Sequence, residues 1–161
     1  MMLLDSLTAA APAAATREEE LSSRLIRPRA QLLSVSGFQA DHKALARMID
    51  RDFWNLIPVR RCREALLRLN STSISVVVCE QSLPDGTWRE VFENLEAMAK
   101  PPVLVVTSKR PDDHLWAEVL NIGGYDVLAK PFYREEVRRV LASASSFRRE
   151  YHHRTGAAGA G

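Results

Sequence analysis

Between residues 31 and 148 the chain alternates five times between a short apolar run and a longer stretch whose apolar positions recur every three or four residues. The runs QLLSV (31–35), NLIPV (55–59), ISVVVCE (74–80), VLVVT (103–107) and DVLAK (126–130) have the length and side chains of strands. The stretches after them have helical spacing. Leu45, Met48 and Ile49 form one apolar face, with Asp41 as its helix cap, and Cys62, Ala65, Leu66 and Leu69 form the second. Trp88, Val91, Phe92 and Leu95 follow a Thr87/Glu90 capping box. Leu115, Trp116, Val119 and Leu120 follow Pro111 in a first turn and end at Gly123 or Gly124. Val137, Val140, Leu141 and Ala144 make the last stripe.

Strand and helix in regular alternation predict an α/β fold of three layers, with helices on both faces of a five-stranded parallel sheet. The uninterrupted ISVVVCE suits a central strand, and Pro58, which lacks an amide hydrogen, puts the second strand at an edge. Together they fit the flavodoxin-like order 2-1-3-4-5, in which chemistry sits beyond the carboxyl ends of the strands. The residues there are Ser36, Gly37, Glu80, Thr107, Ser108 and Lys130. Residues 1–30 have few large apolar side chains and read as a flexible leader. Within them REEELSSRLI reads as a solvated charged segment rather than a helix. Residues 31–148 form one domain, and 149–161, ending in RTGAAGAG, a flexible tail.

At 161 residues and 46% apolar content the chain can bury a core without a disulfide or metal staple. Cys62 and Cys79 read as core thiols and a reducing cytoplasmic location follows. The opening MMLLDSLTAAAPAAAT has no basic leader and no bilayer-spanning run, so neither a signal peptide nor a membrane anchor is expected. A net charge of +2 asks for no polyanion. Residues 134–154 hold six Arg and three Glu, which suits an exposed helix face, and no DNA-reading module follows. His152 and His153 belong to the solvated tail, and His42 and His114, at helix starts, read as surface residues. No cofactor or zinc set is expected. An FMN or nucleotide site is the alternative from another class, but SGFQAD after the first strand is no Gly-rich phosphate cradle.

The runs VVVCEQSLPDG, VLVVTS and, most specifically, GGYDVLAKPF resemble the third, fourth and fifth strands of the receiver domain of bacterial response regulators. The resemblance implies a phosphoryl-acceptor position at Glu80, a pocket hydroxyl at Thr107, followed by Ser108, and the family's Lys-Pro-Phe motif at Lys130, Pro131 and Phe132. It also implies a partner protein, a sensor kinase or a downstream signalling protein. Lys130 lies 50 positions after Glu80 and Thr107 lies 27 after Glu80, as that pattern requires, and counting back from Pro84 reaches the same register. The chain departs from the pattern where it matters. Glu80 replaces the acceptor aspartate, and Ser36 and Gly37 replace the acidic pair that holds Mg²⁺, leaving no carboxylate expected beside the first strand's exit. The expectation is therefore a stand-alone pseudo-receiver, a protein-interaction module and not an enzyme, in which Glu80 pairs with Lys130. The alternative is a receiver phosphorylated on Glu80 or on the turn residue Asp85. The switch position three before the Lys is Val127, which has no ring to swing, and Tyr125 reads as a half-buried ring at a helix-to-strand junction.

Overall fold

The structure, a computed structural model, describes residues 17–19, 21, 22 and 28–159. Its elements in chain order are β1 (Ala30–Val35), α1 (Gln39–Met48), β2 (Trp54–Val59), α2 (Cys62–Ser71), β3 (Val76–Glu80), β4 (Ser82–Leu83), β5 (Gly86–Thr87), α3 (Trp88–Glu96), β6 (Val103–Ser108), α4 (Asp113–Ile122), β7 (Asp126–Ala129) and α5 (Arg134–Ala158). Five strands form one parallel sheet in the order β2-β1-β3-β6-β7, and β4 and β5 make a small antiparallel ribbon beside it. Counting only the five parallel strands, this is the order 2-1-3-4-5.

Period-two alternation sorts the sheet into two cores. Leu33, Val35, Val77, Cys79, Leu104, Val106 and Val127 pack against α2, α3 and α4. Leu32, Val76, Val78, Val105 and Leu128 face α1 and α5. Every residue of β3 is buried, as a central strand requires. Ala30 and Ser36 donate to the carbonyls of Phe53 and Val59, so odd-numbered residues of β2 face β1 and Pro58 faces the free edge. There its missing N–H costs no ladder bond.

Helix ends differ in detail from the sequence pattern. Asp41 does not cap α1: the cap is Phe38, and Asp41 lies one turn inside. Pro111 precedes α4 rather than entering it, because Asp112 takes the cap and its Oδ1 accepts from the Leu115 amide at 2.8 Å. Gly123 ends α4 with φ of 119°, the left-handed conformation that glycine adopts without penalty. Leu120 points outward and is 50% exposed, while Leu115 and Val119 carry the inward face. Glu90 accepts from the Thr87 amide in the anticipated capping box of α3.

At the amino end, residues 17–19, 21 and 22 are exposed as the charged composition requires, yet their backbone is helical. At the other end α5 continues to Ala158, through the segment the sequence pattern assigned to a tail. An aromatic series explains its persistence: Phe147 lies 5.4 Å from the ring of half-buried Tyr125, and Tyr151 stacks 6.4 Å from Phe147. Among the described residues no helix is long and apolar enough to cross a membrane.

Candidate functional site

Parity and register assemble the site. Ser34, Ser36, Glu80, Thr107 and Lys130 share the parity of the strand residues that face α1 and α5, so all five side chains emerge on that face. Strand exits are tied in step. Glu80 lies opposite Thr107 in the ladder, the Gln81 amide donates to the Thr107 carbonyl at 2.9 Å, and the Lys130 amide donates to the Ser108 carbonyl at 2.9 Å.

Lys130 is the centre of the cluster. Its Nζ lies 2.5 Å from Glu80 Oε2 and 2.8 Å from Asp41 Oδ2, and its side chain is only 6% exposed. Each carboxylate oxygen has a second donor. Thr107 Oγ1 donates to Glu80 Oε2 at 2.9 Å, and Ser36 Oγ donates to Asp41 Oδ2 at 2.6 Å. Two carboxylates, one ammonium and two hydroxyls thus form a continuous buried network, Ser36–Asp41–Lys130–Glu80–Thr107. Phe38 lies over it, with the ammonium groups of Lys130 and Lys109 each 4.9 Å from its ring centre.

The sequence-derived set converges here with three exceptions. Ser108 turns aside to donate to Gln81 Oε1 at 2.9 Å and to accept from the Arg110 amide. Gly37 contributes backbone only: its carbonyl accepts from Arg60, and a Cβ there would stand 3.1 Å from the Pro84 ring. Pro131 is exposed, joined to Lys130 by a cis peptide bond. Asp41 was missed as a site residue, and the expectation of no carboxylate beside the exit of β1 is corrected by it. It sits five positions beyond Ser36 on the inward face of α1, four before buried Leu45, and that placement was the available signal.

His42 is a second correction. It is buried, not on the surface, because it shares the inward face of α1 with Leu45 and Ile49. Its Nε2 lies 2.9 Å from the Ser36 carbonyl, which can only accept, so Nε2 carries the hydrogen and Nδ1 accepts from Ser34 Oγ at 2.8 Å. Burial pulls the ring's pKa below its ordinary value, against the raising effect of the Ser36 carbonyl and Asp41. His42 therefore stays neutral and fixes the backbone at Ser36, holding the Ser36 hydroxyl toward Asp41.

Asp85 belongs to another structure. Its Oδ1 accepts from the Cys62 amide at 2.7 Å and its Oδ2 from the Arg63 amide at 3.1 Å, so it caps α2 from the β4–β5 turn. Desolvation by neighbouring residues of the chain opposes ionisation, but those amides and Arg61 outweigh it and hold the carboxyl below the usual aspartate range. Both cysteines are free and buried, and burial pushes each thiol upward, Cys79 furthest.

The donor set does not fit Mg²⁺. That ion requires several oxygens at near-octahedral geometry, and here both converging carboxylates are bonded to Lys130, with a serine and a glycine in place of further acids. Among the described residues no group of three or more His, Cys, Asp or Glu side chains is arranged to hold a metal ion.

Comparison with known proteins gives a consistent picture. The response regulator receiver domain family matches residues 34–142. The swarming motility regulation protein RssB of Serratia marcescens is 31% identical over 108 residues, 62% of this chain and 46% of that protein, so the chain spans about half of that relative's length. Among solved structures, the signal receiver domain of an HD domain-containing protein from Pseudomonas fluorescens Pf-5 superposes with a TM-score of 0.72 at 21% identity, over 80% of this chain and 96% of that one. The chemotaxis response regulator CheY4 of Vibrio cholerae gives 0.66 at 17% identity, over 73% and 99% respectively. At these identities the likeness to solved structures is one of fold.

Proposed function

The chain belongs to the response regulator receiver domain family, and from that premise we propose that it is a pseudo-receiver: a protein-interaction module of two-component signalling, located in the cytoplasm, that does not take up phosphate by the standard route. The observation that carries this reading is the position of Lys130 Nζ, 2.5 Å from Glu80 and 2.8 Å from Asp41.

Phosphoryl transfer rests on positioning and on neutralising the equatorial oxygens of the moving group. In this pocket the fixed cation is already neutralised by two carboxylates, and the Thr107 hydroxyl is spent on Glu80. The extra methylene of Glu80 also displaces its carboxylate relative to an aspartate, and about 1 Å of misplacement can cost about 10²-fold. A carboxylate held against Lys130 and Thr107 partly imitates an acceptor that already bears charge, so the pocket is set in one state. Phosphorylation on Asp85 is disfavoured because both of its oxygens hold the start of α2. Output passes through protein contact, and the face of α4, β7 and α5 is the surface proposed for it, with a sensor kinase or a downstream signalling protein as partner.

Incubation with acetyl phosphate and Mg²⁺ followed by intact-mass measurement tests the reading. The native chain and Glu80→Asp are expected to gain no phosphoryl mass, and the triple variant Ser36→Asp, Gly37→Asp, Glu80→Asp is expected to regain some. Pro84→Ala in that background gives the new side chain at position 37 the room it needs. A stable phosphoryl adduct on the native chain would overturn the proposal.

A further inference from the structure

We propose that a cavity at the opposite end of the sheet binds a small carboxylate with an apolar body. The cavity has a volume of about 350 Å³ and lies between the end of α3, the start of β6, the Gly123–Gly124 turn after α4, and the distal half of α5. Pro101, Pro102, Ile122, Tyr125, Phe147 and Tyr151 are among the apolar residues that line it. It faces the amino ends of β6 and β7, whereas the Lys130 cluster sits at the carboxyl ends, so it is a separate site whose fate does not depend on the pseudo-receiver reading.

The shape of the cavity is built rather than incidental. A Cβ at Gly123 would stand 3.2 Å from Phe92, and one at Gly124 would stand 2.5 Å from a Val119 methyl and 2.9 Å from the Val119 carbonyl, so only glycines allow this turn to close over the end of α3. On α5, Phe147 and Tyr151 are one helical turn apart and form the aromatic wall, extended by Tyr125.

The charge requirement comes from Arg148, one position beyond Phe147 on α5. Arg148 lines the cavity, and its Nε is buried with no hydrogen-bond partner among the described residues. Burial lowers the Arg148 pKa. Glu96 also lines the cavity but makes no ion pair with Arg148. A guanidinium partly removed from water without a counter-charge is unfavourable, and a carboxylate in the cavity it lines supplies that charge. One such cation beside a largely apolar wall matches a monoanion with a hydrocarbon or aromatic body better than a phosphate. The concavity and volume match a small molecule, at the lower end of the range for such sites.

Titration of the full chain with octanoate and 2-naphthoate, against octanamide and 2-naphthamide, followed by amide NMR shifts at Leu104, Gly123, Gly124 and Tyr125, tests this. The carboxylates are expected to give saturable shifts and to bind at least about tenfold more tightly than the amides. Arg148→Gln is expected to remove that ratio, and Ile122→Trp, at a position already 42% exposed, to block all four ligands. Absence of saturable shifts with either carboxylate, or equal binding of acids and amides to the native chain, overturns the proposal, and the second comparison needs no variant to fold.

Discussion

Replacing Lys130 with methionine removes the only cation, among the described residues, that bridges the Glu80 and Asp41 carboxylates, while keeping most of the side-chain volume. Lys130, Glu80 and Asp41 side chains are 6%, 9% and 14% exposed, so the loss occurs where water screens little. Deleting one member of a buried ion pair costs about 3–5 kcal/mol because its partner is left charged and uncompensated. Here two partners are stranded beside each other, each keeping one hydroxyl donor, so Lys130→Met belongs at the upper end of that range. For a chain of this size, each kcal/mol moves Tm by about 2–4 °C, which places the variant about 10–20 °C below the native protein. Urea unfolding of Lys130→Met, Glu80→Gln and the double variant forms a double-mutant cycle. The double variant is expected to be markedly more stable than the sum of the two single losses predicts. If Lys130→Met stays within about 1 kcal/mol of native, or the two losses simply add, the network contributes nothing of this kind.

Asp85→Ala should cost about 1 kcal/mol in urea by freeing the Cys62 and Arg63 amides at the start of α2. The acid limb of stability should flatten in Asp85→Asn. The Asp85 folded pKa lies below its ordinary 3.8, so its contribution is present above that value and lost as pH falls through the folded pKa. For His42 the sign is set by a folded pKa below 6.5. Above 6.5 both states are neutral and the contribution is complete; as pH falls below it the unfolded chain takes up the proton first and stability declines, which thermal melts across this range should show. Gly123→Ala forces a β-carbon into φ of 119° and toward Phe92, and should cost about 1 kcal/mol or more in the same urea assay.

The sheet was legible because a period of two and a period of 3.6 alternate cleanly, and because Pro58 marks an edge that ISVVVCE cannot occupy. Glu80, Thr107 and Lys130 were legible because strand ends are fixed by the same pattern. Asp41 and His42 were not, since both were read as local features of a helix start. Their positions three and four before Leu45 carry the information that they face inward, but a polar residue on an apolar stripe reveals its partner only when the strand opposite is in place. The length of α5 was hidden for a related reason. Its distal half has little apolar periodicity of its own and is held by Tyr125, which lies in a different element's approach.

With both converging carboxylates bonded to Lys130, no divalent ion is expected to settle at the exit of β1. Titration of the native chain with Mn²⁺, following paramagnetic broadening of the amides of Ser36, Gly37, Gln81 and Ser108, tests it most directly. No saturable, localised broadening is expected through the millimolar range. Saturable loss of those signals, reversed by excess Mg²⁺, would contradict it.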